Sequence, residues 1–169
     1  MIYVFIGNYI YMESGKYLYY GPVAGFISAI FEAIMFYLFD IAASLPPGYQ
    51  FTAIGARLLH ISGFYGTLYG MLLHFMVGTV VGIVAALISY YVIALRIKTV
   101  KSGLFIGILA GFLVLLVFSL PVNILLLHLY VYEKYYLPST AFYYSMHIFY
   151  GAVWGIFLGY FISRQRKLS

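Results

Sequence analysis

The sequence lacks cysteine entirely, and charged residues make up only 8% of its 169 positions. The absence of cysteine excludes disulfides, cysteine-ligated zinc, iron–sulfur clusters and cysteine nucleophiles. Soluble domains usually carry about a quarter charged residues, so this chain is depleted in charge as well. Asn and Gln are also rare, whereas Ile and Tyr are abundant. This bias is typical of a thermophilic prokaryote.

Apolar residues dominate what is present. They make up 65% of the chain, and the mean hydropathy is +1.02. A single water-soluble domain of this size would still expose roughly a third of its unfolded surface. Intrinsic disorder requires the opposite composition, with low hydrophobicity and high net charge. The composition therefore excludes a soluble enzyme, a soluble binding domain and a disordered chain, and it predicts an integral membrane protein.

Four apolar segments are long enough to cross a bilayer, which takes about 20 residues per helix. They are separated by short loops, the first of which begins with Pro46 and Pro47. The sequence therefore predicts an all-α protein of four membrane spans. The expected spans cover residues 21–45, 66–95, 103–130 and 142–163.

The N-terminal segment 1–19 is apolar and rich in Tyr, but its first dozen apolar residues are too few to span a membrane. We expect it to lie at the membrane interface or to contact a partner. A short surface helix is expected at about 51–61, in the loop after the first span. Because no linker divides the chain, residues 1–169 are predicted to form one polytopic membrane domain.

The distribution of basic residues predicts the orientation of the spans. Cytoplasmic loops carry an excess of Lys and Arg. Seven basic residues fall on the side of both termini, against two on the other side, so both termini are predicted to be cytoplasmic. The net charge of +5 is thus explained by a multi-pass cell-membrane protein rather than by nucleic-acid binding. The seven are Lys16, Arg96, Lys98, Lys101, Arg164, Arg166 and Lys167, and the two are Arg57 and Lys134.

The second and fourth spans share the pattern His-x3-Gly-x3-Gly, which begins at His74 and at His147. The first and third spans share Gly-x3-Gly-Phe, which begins at Gly21 and at Gly107. The simplest explanation is a duplicated two-helix hairpin. Both copies would have the same topology, with a pseudo-axis along the membrane normal. The predicted architecture is a four-helix bundle made of two such hairpins.

Glycines recur at a spacing of four along the spans. Residues four apart lie on one face of a helix, and small residues allow membrane helices to approach closely. We expect these glycines to pack helices together, although some could instead clear space for a flat cofactor or a lipid tail. The predicted packing positions are Gly70, Gly78, Gly82, Gly107, Gly111, Gly151, Gly155 and Gly159.

Glu32 lies near the middle of the first span. A charged side chain there costs at least about 2.5–3.5 kcal/mol, so we expect Glu32 to be protonated or paired. Either it is a neutral acid hydrogen-bonded to a neighbouring helix, or it is a coupling site for a proton or cation. Asp40 lies two turns further along the same helix.

His74 and His147 occupy equivalent places in two spans, at a depth similar to that of Asp40 and Asn123. Two histidines on facing helices can ligate a haem b, and two histidines with Asp40 can hold a divalent metal. Without any cofactor, they would hydrogen-bond to neighbouring helices. All three possibilities follow from the sequence.

The layout resembles a loose group of uncharacterised four-span prokaryotic membrane proteins with glycine-rich hairpins. The similarity covers about 21–163 and implies the fold and the membrane location, but no activity. A histidine begins the motif in the second and fourth spans, and a proline, expected to kink its helix, lies late in the third. The matching residues are His74, Gly78, Gly82, Pro121, His147, Gly151 and Gly155.

The sequence shows no metal-protease, haem-attachment, phosphate-loop or serine-nucleophile signature. We therefore expect a non-catalytic accessory subunit of a larger prokaryotic, including archaeal, membrane complex, rather than an enzyme. Its partners would be the lipid bilayer and other membrane subunits or further copies of the chain. One alternative is a haem- or metal-binding electron-transfer subunit that uses His74 and His147. Another is a small proton- or ion-coupled transporter that uses Glu32 and Asp40.

Overall fold

The computed structural model describes residues 2–121 and 136–166, and the structure over these ranges is entirely helical. Five α-helices are present in this part of the chain, and a π turn continues the fourth. Their bounds are α1 (Ile2–Ala42), α2 (Tyr49–Leu59), α3 (Gly63–Tyr91), α4 (Val100–Val114) with the π turn Leu115–Ser119, and α5 (Tyr136–Arg166).

Four of the helices are long and apolar enough to cross a membrane, as the sequence predicted. The remaining helix, α2, is the short helix expected between the first two spans. The chain is therefore a multi-pass helical membrane protein. The apolar stretches are Gly15–Ala42, Gly63–Tyr91, Val100–Val117 and Ala141–Gln165.

The N-terminal segment is continuous with the first span, because α1 begins at Ile2 and runs into it without a break. At 1.5 Å per residue, its 41 residues reach about 60 Å. This length is roughly twice the thickness of a bilayer's hydrocarbon core. Part of α1 therefore extends beyond the length needed to cross a membrane.

The connection between α3 and α4 begins earlier than the sequence suggested. The second span was expected to reach residue 95, but α3 ends at Tyr91 and a 3₁₀ turn follows at Ile93–Leu95. Arg96 donates two hydrogen bonds to the Tyr90 carbonyl oxygen, from Nε at 3.3 Å and Nη2 at 3.1 Å. A cation that bonds the last carbonyls favours the end of a helix at this place.

The expected kink at Pro121 takes the form of a π turn directly before it. In this turn the amide of Leu120 bonds the carbonyl of Leu115, five residues earlier. Proline lacks an amide hydrogen and clashes with the carbonyl four residues before it, and a widened turn is one way that a helix adapts to such a defect. The rest of the third predicted span, including Asn123, lies outside the described residues.

Helices α1 and α5 form the centre of the molecule. Helix α1 packs against α3 and α5, and α4 packs against α5, whereas α3 and α4 barely touch each other. Over the described residues, α3 and α4 therefore lie on two flanks with a gap between them.

Helices α1 and α3 pack antiparallel at their glycines. A Cβ atom added to Gly25 would lie 2.6 Å from the Gly78 carbonyl oxygen, and one added to Gly82 would lie 2.6 Å from that of Gly21. No real Cβ contact is this short, so these positions require glycine. We call this contact the α1–α3 seam.

Helices α4 and α5 form a second antiparallel contact, the α4–α5 seam. A Cβ atom on Gly107 would lie 2.1 Å from the Gly151 carbonyl oxygen, and one on Gly155 would lie 1.9 Å from that of Gly103. Gly107 faces Gly151 in the α4–α5 seam as Gly25 faces Gly78 in the α1–α3 seam, and Gly78 and Gly151 hold the same place in the His-x3-Gly-x3-Gly motif. In the packing, Gly107 therefore corresponds to Gly25. The sequence pattern matched Gly107 with Gly21 instead, one helical turn away.

The side chains form two clusters at opposite ends of the molecule. The Arg96 end carries the α3–α4 connection, and its buried cluster includes Tyr17, Ile97, Trp154 and Leu158. The α2 end carries the short helix α2. Its cluster is built from Ala33, Phe36, Phe51 and Met146.

Candidate functional site: a polar cleft between the flanking helices

A cleft of about 190 Å³ lies in the gap between α3 and α4. Side chains of α1 and α5 form the back of the cleft, and α2 covers the end of the cleft that is farthest from Arg96. Most of its walls are apolar, but seven polar side chains reach it from five different helical segments. They are Glu32, Gln50, His74, Ser119, Tyr143, His147 and Tyr150.

Glu32 and His74 lie together at the back of the cleft. The carboxylate oxygen Oε2 of Glu32 is 3.7 Å from Nε2 of His74, and the Glu32 side chain is buried. The same Nε2 atom is 3.2 Å from the Ala29 carbonyl oxygen. Because a carbonyl can only accept, Nε2 carries the hydrogen. The neutral ring therefore keeps its lone pair on Nδ1.

His147 lines the same cleft from α5 and is held in a similar way. Its Nδ1 atom is 2.9 Å from the Tyr143 carbonyl oxygen, one turn earlier on the helix. Nδ1 must donate this hydrogen bond, so the lone pair of the neutral ring lies on Nε2. The structure thus brings Glu32, His74 and His147 into one cleft and fixes one nitrogen of each histidine on a backbone carbonyl.

Tyr150 connects the central helix α5 to the flanking helix α3 beside the cleft. Its hydroxyl donates a hydrogen bond to the Gly78 carbonyl oxygen, which joins α5 to α3. A Cβ atom on Gly78 would lie 3.4 Å from the Tyr150 ring and 2.7 Å from the Ala29 Cβ atom. Gly78 therefore makes room both for the α1–α3 seam and for this tyrosine. The spacing from His147 to Tyr150 could have indicated this role, since residues three apart share a helix face.

Asp40 does not join the histidines. Its Oδ2 atom accepts hydrogen bonds of 3.0 Å from the amides of Gly48 and Tyr49, at the start of α2. Gly48 has a φ of 80°, a left-handed conformation that favours glycine. Asp40 therefore links α1 to the start of α2 through these two hydrogen bonds. Over the described ranges 2–121 and 136–166, no three His, Cys, Asp or Glu side chains come close enough to hold a metal ion.

Close backbone contacts hold α2 over the cleft. A Cβ atom on Gly55 would lie 2.1 Å from the Gly66 carbonyl oxygen, and one on Gly70 would lie 1.9 Å from the Phe51 carbonyl oxygen. The Phe51 ring meets the His74 ring nearly edge-on, with 5.3 Å between the ring centres. Phe51 was not among the residues predicted to form a site. The amphipathic character of α2 was the available signal.

The remaining predicted packing glycines lie in the α4–α5 seam or at its ends. A Cβ atom on Gly111 would meet the His147 carbonyl oxygen at 2.4 Å, and one on Gly159 would meet that of Thr99 at 2.6 Å. Gly111 thus brings α4 against the backbone beside His147. The α4–α5 seam therefore lies directly beside the cleft residue His147.

The size of the cleft limits what it can hold. An apolar cavity of about 150 Å³ binds benzene, so the present cleft of about 190 Å³ accepts a single ring or a short stretch of hydrocarbon chain. A haem contains four pyrrole rings. A haem is therefore larger than the space that the cleft encloses.

The fold and this cleft define a class: a polytopic helical membrane protein with a largely apolar cleft, containing a few polar side chains, between two flanking helices. Compared with known proteins, the chain matches no family model, no curated protein and no solved structure.

Proposed function

We propose that this protein is a non-catalytic accessory subunit of a larger prokaryotic, including archaeal, membrane complex. The carrying observation is the open surface of the two flanking helices. Only 17% of the α3 membrane window and 22% of the α4 window are buried, against 39% for α1 and 44% for α5. The flanks are free to accept helices of other subunits, or of a second copy, as well as lipid.

The length of α1 supports the same proposal. The helix extends well beyond one membrane thickness, and its first residues are apolar and rich in Tyr. An apolar helix that continues past the bilayer needs another surface to cover it. We propose that this extension contacts a partner subunit.

The proposal includes a duplicated four-helix bundle in the cell membrane, with both termini in the cytoplasm. Its support is the similar glycine spacing of the two seams and the excess of basic residues on one side. Reporter fusions at the two termini and in the loop that contains Arg57 test the orientation. Both terminal fusions should report the cytoplasm, and the loop fusion should report the opposite side.

Gentle extraction followed by native mass spectrometry tests the accessory role. We expect a stoichiometric partner or a second copy to remain bound. Replacing Phe105 and Phe112 on the α4 flank by Ala should weaken that association, because both rings are exposed. The matched control replaces the exposed Ile34 and Leu38 on α1 by Ala and should leave it intact. A solitary monomer in the native spectrum would overturn the proposal.

A second candidate function is a small proton- or ion-coupled transporter. The observation in its favour is the Glu32–His74 pair at the back of a laterally open cleft, since buried ionisable groups in membrane helices commonly mark ion pathways. Glu32→Gln should then abolish proton flux in proteoliposomes without loss of helicity. Asp40→Asn should reduce flux less, because Asp40 supports α2. Unchanged flux in Glu32→Gln would remove this candidate.

The third candidate is a haem- or metal-binding electron-transfer subunit. Its support is that His74 and His147 line one cleft. Absorption spectra of the oxidised and reduced protein, with metal analysis of the same sample, test it. A Soret band that disappears in His74→Ala would support this function, and a blank spectrum without stoichiometric metal would count against it.

A further inference from the structure

We propose that the cleft binds a membrane lipid whose head is a single six-membered ring with hydroxyl groups, the class of the prenylated hydroquinones. The ring would lie near His74 and His147, and the tail would leave between α3 and α4 into the bilayer. This inference goes beyond the accessory role and does not depend on it. It concerns binding alone.

The volume of the cleft favours a ring of this size. The cleft measures about 190 Å³, somewhat more than the cavity of about 150 Å³ that binds benzene. A six-membered ring with two hydroxyl groups and the first carbons of a tail matches this space. A steroid or a porphyrin has several fused or linked rings and does not.

The walls suit an aromatic head with an apolar tail. Phe36 and Phe51 line the cleft, and their rings meet edge to face with 6.1 Å between the centres. Aromatic rings prefer such edge-to-face or offset contacts with one another. Val77, Val81 and Val114 form the walls on the α3 and α4 sides. The aromatic part of the cleft thus adjoins an aliphatic part at the gap between the flanking helices.

The polar groups select a head that donates hydrogen bonds. In their neutral forms, His147 offers a lone pair on Nε2 and His74 one on Nδ1, since their other nitrogens donate to backbone carbonyls. The Glu32 carboxyl group is a third acceptor. Ring hydroxyl groups can donate to such acceptors.

The charge of the lining disfavours a phospholipid head. Phosphate groups are recognised by Arg and Lys, and the described residues that line the cleft include neither. An uncharged hydroxylated ring needs no such partner. The gap between α3 and α4 gives this uncharged lipid a route from the bilayer that avoids water.

Binding to the purified protein in nanodiscs tests the proposal directly. The probes are decyl-substituted 1,4-hydroquinone, kept reduced under anaerobic conditions, and decylbenzene, which has the same tail but no hydroxyl group. We expect the hydroquinone to bind about tenfold tighter, which is the effect of one or two net hydrogen bonds. Equal affinity for the two probes, or no binding of either, would overturn the proposal.

Variants locate the binding. Val77→Phe should fill the cleft and reduce hydroquinone affinity at least about tenfold, whereas Val80→Phe on the same helix should leave affinity unchanged. Val77 lines the cleft, and Val80 does not. His147→Phe keeps an aromatic ring but removes the acceptor, so it should lower affinity for the hydroquinone and not for decylbenzene. Equal effects of Val77→Phe and Val80→Phe would place the binding elsewhere.

The result of the probe-binding experiment can be distinguished from the result of the test for an accessory role. Partner copurification measures a contact at the flanks, and probe binding measures the cleft of the isolated protein. Hydroquinone binding without any copurifying partner would support the cleft proposal and overturn the accessory role. The reverse pattern would do the opposite. If a variant fails to fold, the comparison of the two probes on the unaltered protein still decides.

Discussion

The Arg96 end and the α2 end of this molecule are built from the same helices but differ in their packing. At the Arg96 end, Trp154 and Tyr17 are 1% and 2% exposed, and the Tyr17 hydroxyl donates to the Ile97 carbonyl oxygen. At the α2 end, Glu32, His74 and His147 surround an open cleft. One end is closed by large side chains, and the other keeps room and buried polar groups.

The side chains that occupy the interior differ between the two ends. The α1–α3 seam joins Gly21 with Gly82 towards the Arg96 end and Gly25 with Gly78 nearer the middle. The helices therefore approach closely along this whole stretch. Trp154 fills the space between the hairpins at one end, whereas residues such as Val114 and Ser119 leave it open at the other. A space that is left open beside buried polar groups indicates binding more strongly than either feature alone.

The largest expected effect comes from disrupting the α4–α5 seam, which supports both ends of the molecule. Gly155→Leu would place a side chain where even a Cβ atom lies 1.9 Å from the Gly103 carbonyl oxygen. Since backbone cannot yield cheaply, we expect a loss of at least about 3 kcal/mol and no monodisperse folded protein. Size-exclusion chromatography and circular dichroism measure this. Gly15→Leu is the control, because nothing lies within 4 Å of a Cβ atom there. Normal folding of Gly155→Leu would contradict the close seam.

Trp154→Ala should have the next largest effect, by opening the Arg96 end. Removing a buried tryptophan costs about 3 kcal/mol through lost contacts and the remaining cavity. The melting temperature, followed by circular dichroism, should fall markedly. Ile156→Ala, at an exposed position of the same helix, should change it little. In the described part of the chain, Trp154 Nε1 has no hydrogen-bond partner, so Trp154→Phe should cost less than Trp154→Ala. Equal melting temperatures for Trp154→Ala and Ile156→Ala would show that the closed end adds no stability.

Asp40→Ala should loosen the α2 end alone. It removes the acceptor for two amides at the start of α2, and losing a helix-capping side chain costs about 1 kcal/mol. Hydrogen exchange should accelerate in the α2 segment Tyr49–Leu59 and stay unchanged in α5. Asp40→Asn retains an acceptor oxygen and should show a smaller change. Unaltered exchange in α2 would mean that its backbone contacts with α3 suffice to hold it.

Tyr150→Phe should have the smallest effect. It deletes the hydroxyl that donates to the Gly78 carbonyl oxygen, and one such hydrogen bond contributes about 1 kcal/mol. We expect a small drop in melting temperature. Tyr91→Phe, at an exposed tyrosine, serves as the control and should leave the melting temperature in place. A drop of the same size in both variants would assign the effect to something other than this hydrogen bond.

The number and approximate position of the spans could be predicted from the sequence, because apolar length alone determines them. The positions of the seam glycines were also predictable, since helix periodicity places residues four apart on one face. The site was predictable only in part. The shared depth of His74 and His147 suggested one site, and both line the cleft. Asp40 had a similar depth, but its carboxylate turns to the start of α2, which the sequence could not indicate.

Other features depend on contacts that no local pattern specifies. The hydrogen bond from Tyr150 to Gly78 joins residues 72 positions apart. The one-turn shift between the seams depends on which small residues meet across each seam. The Gly-x3-Gly spacing is the same in both registers, so it does not indicate which register forms. The uninterrupted course of α1 from Ile2 was missed because the first residues lack the length of a span, although helix formation needs no such length when a helix follows.

Each glycine seam joins two consecutive membrane-length helices, and this has a consequence for the order of events during synthesis. Chains are made from the N-terminus, and membrane helices insert before they associate. The α1–α3 seam can therefore close while α4 and α5 are still on the ribosome. The cleft, which needs side chains from both hairpins, comes into existence only with the last part of the chain. A fragment that ends shortly after Ile97, once released from the ribosome into a membrane, should thus already hold a paired hairpin, with Glu32 beside His74 and no site yet formed around them.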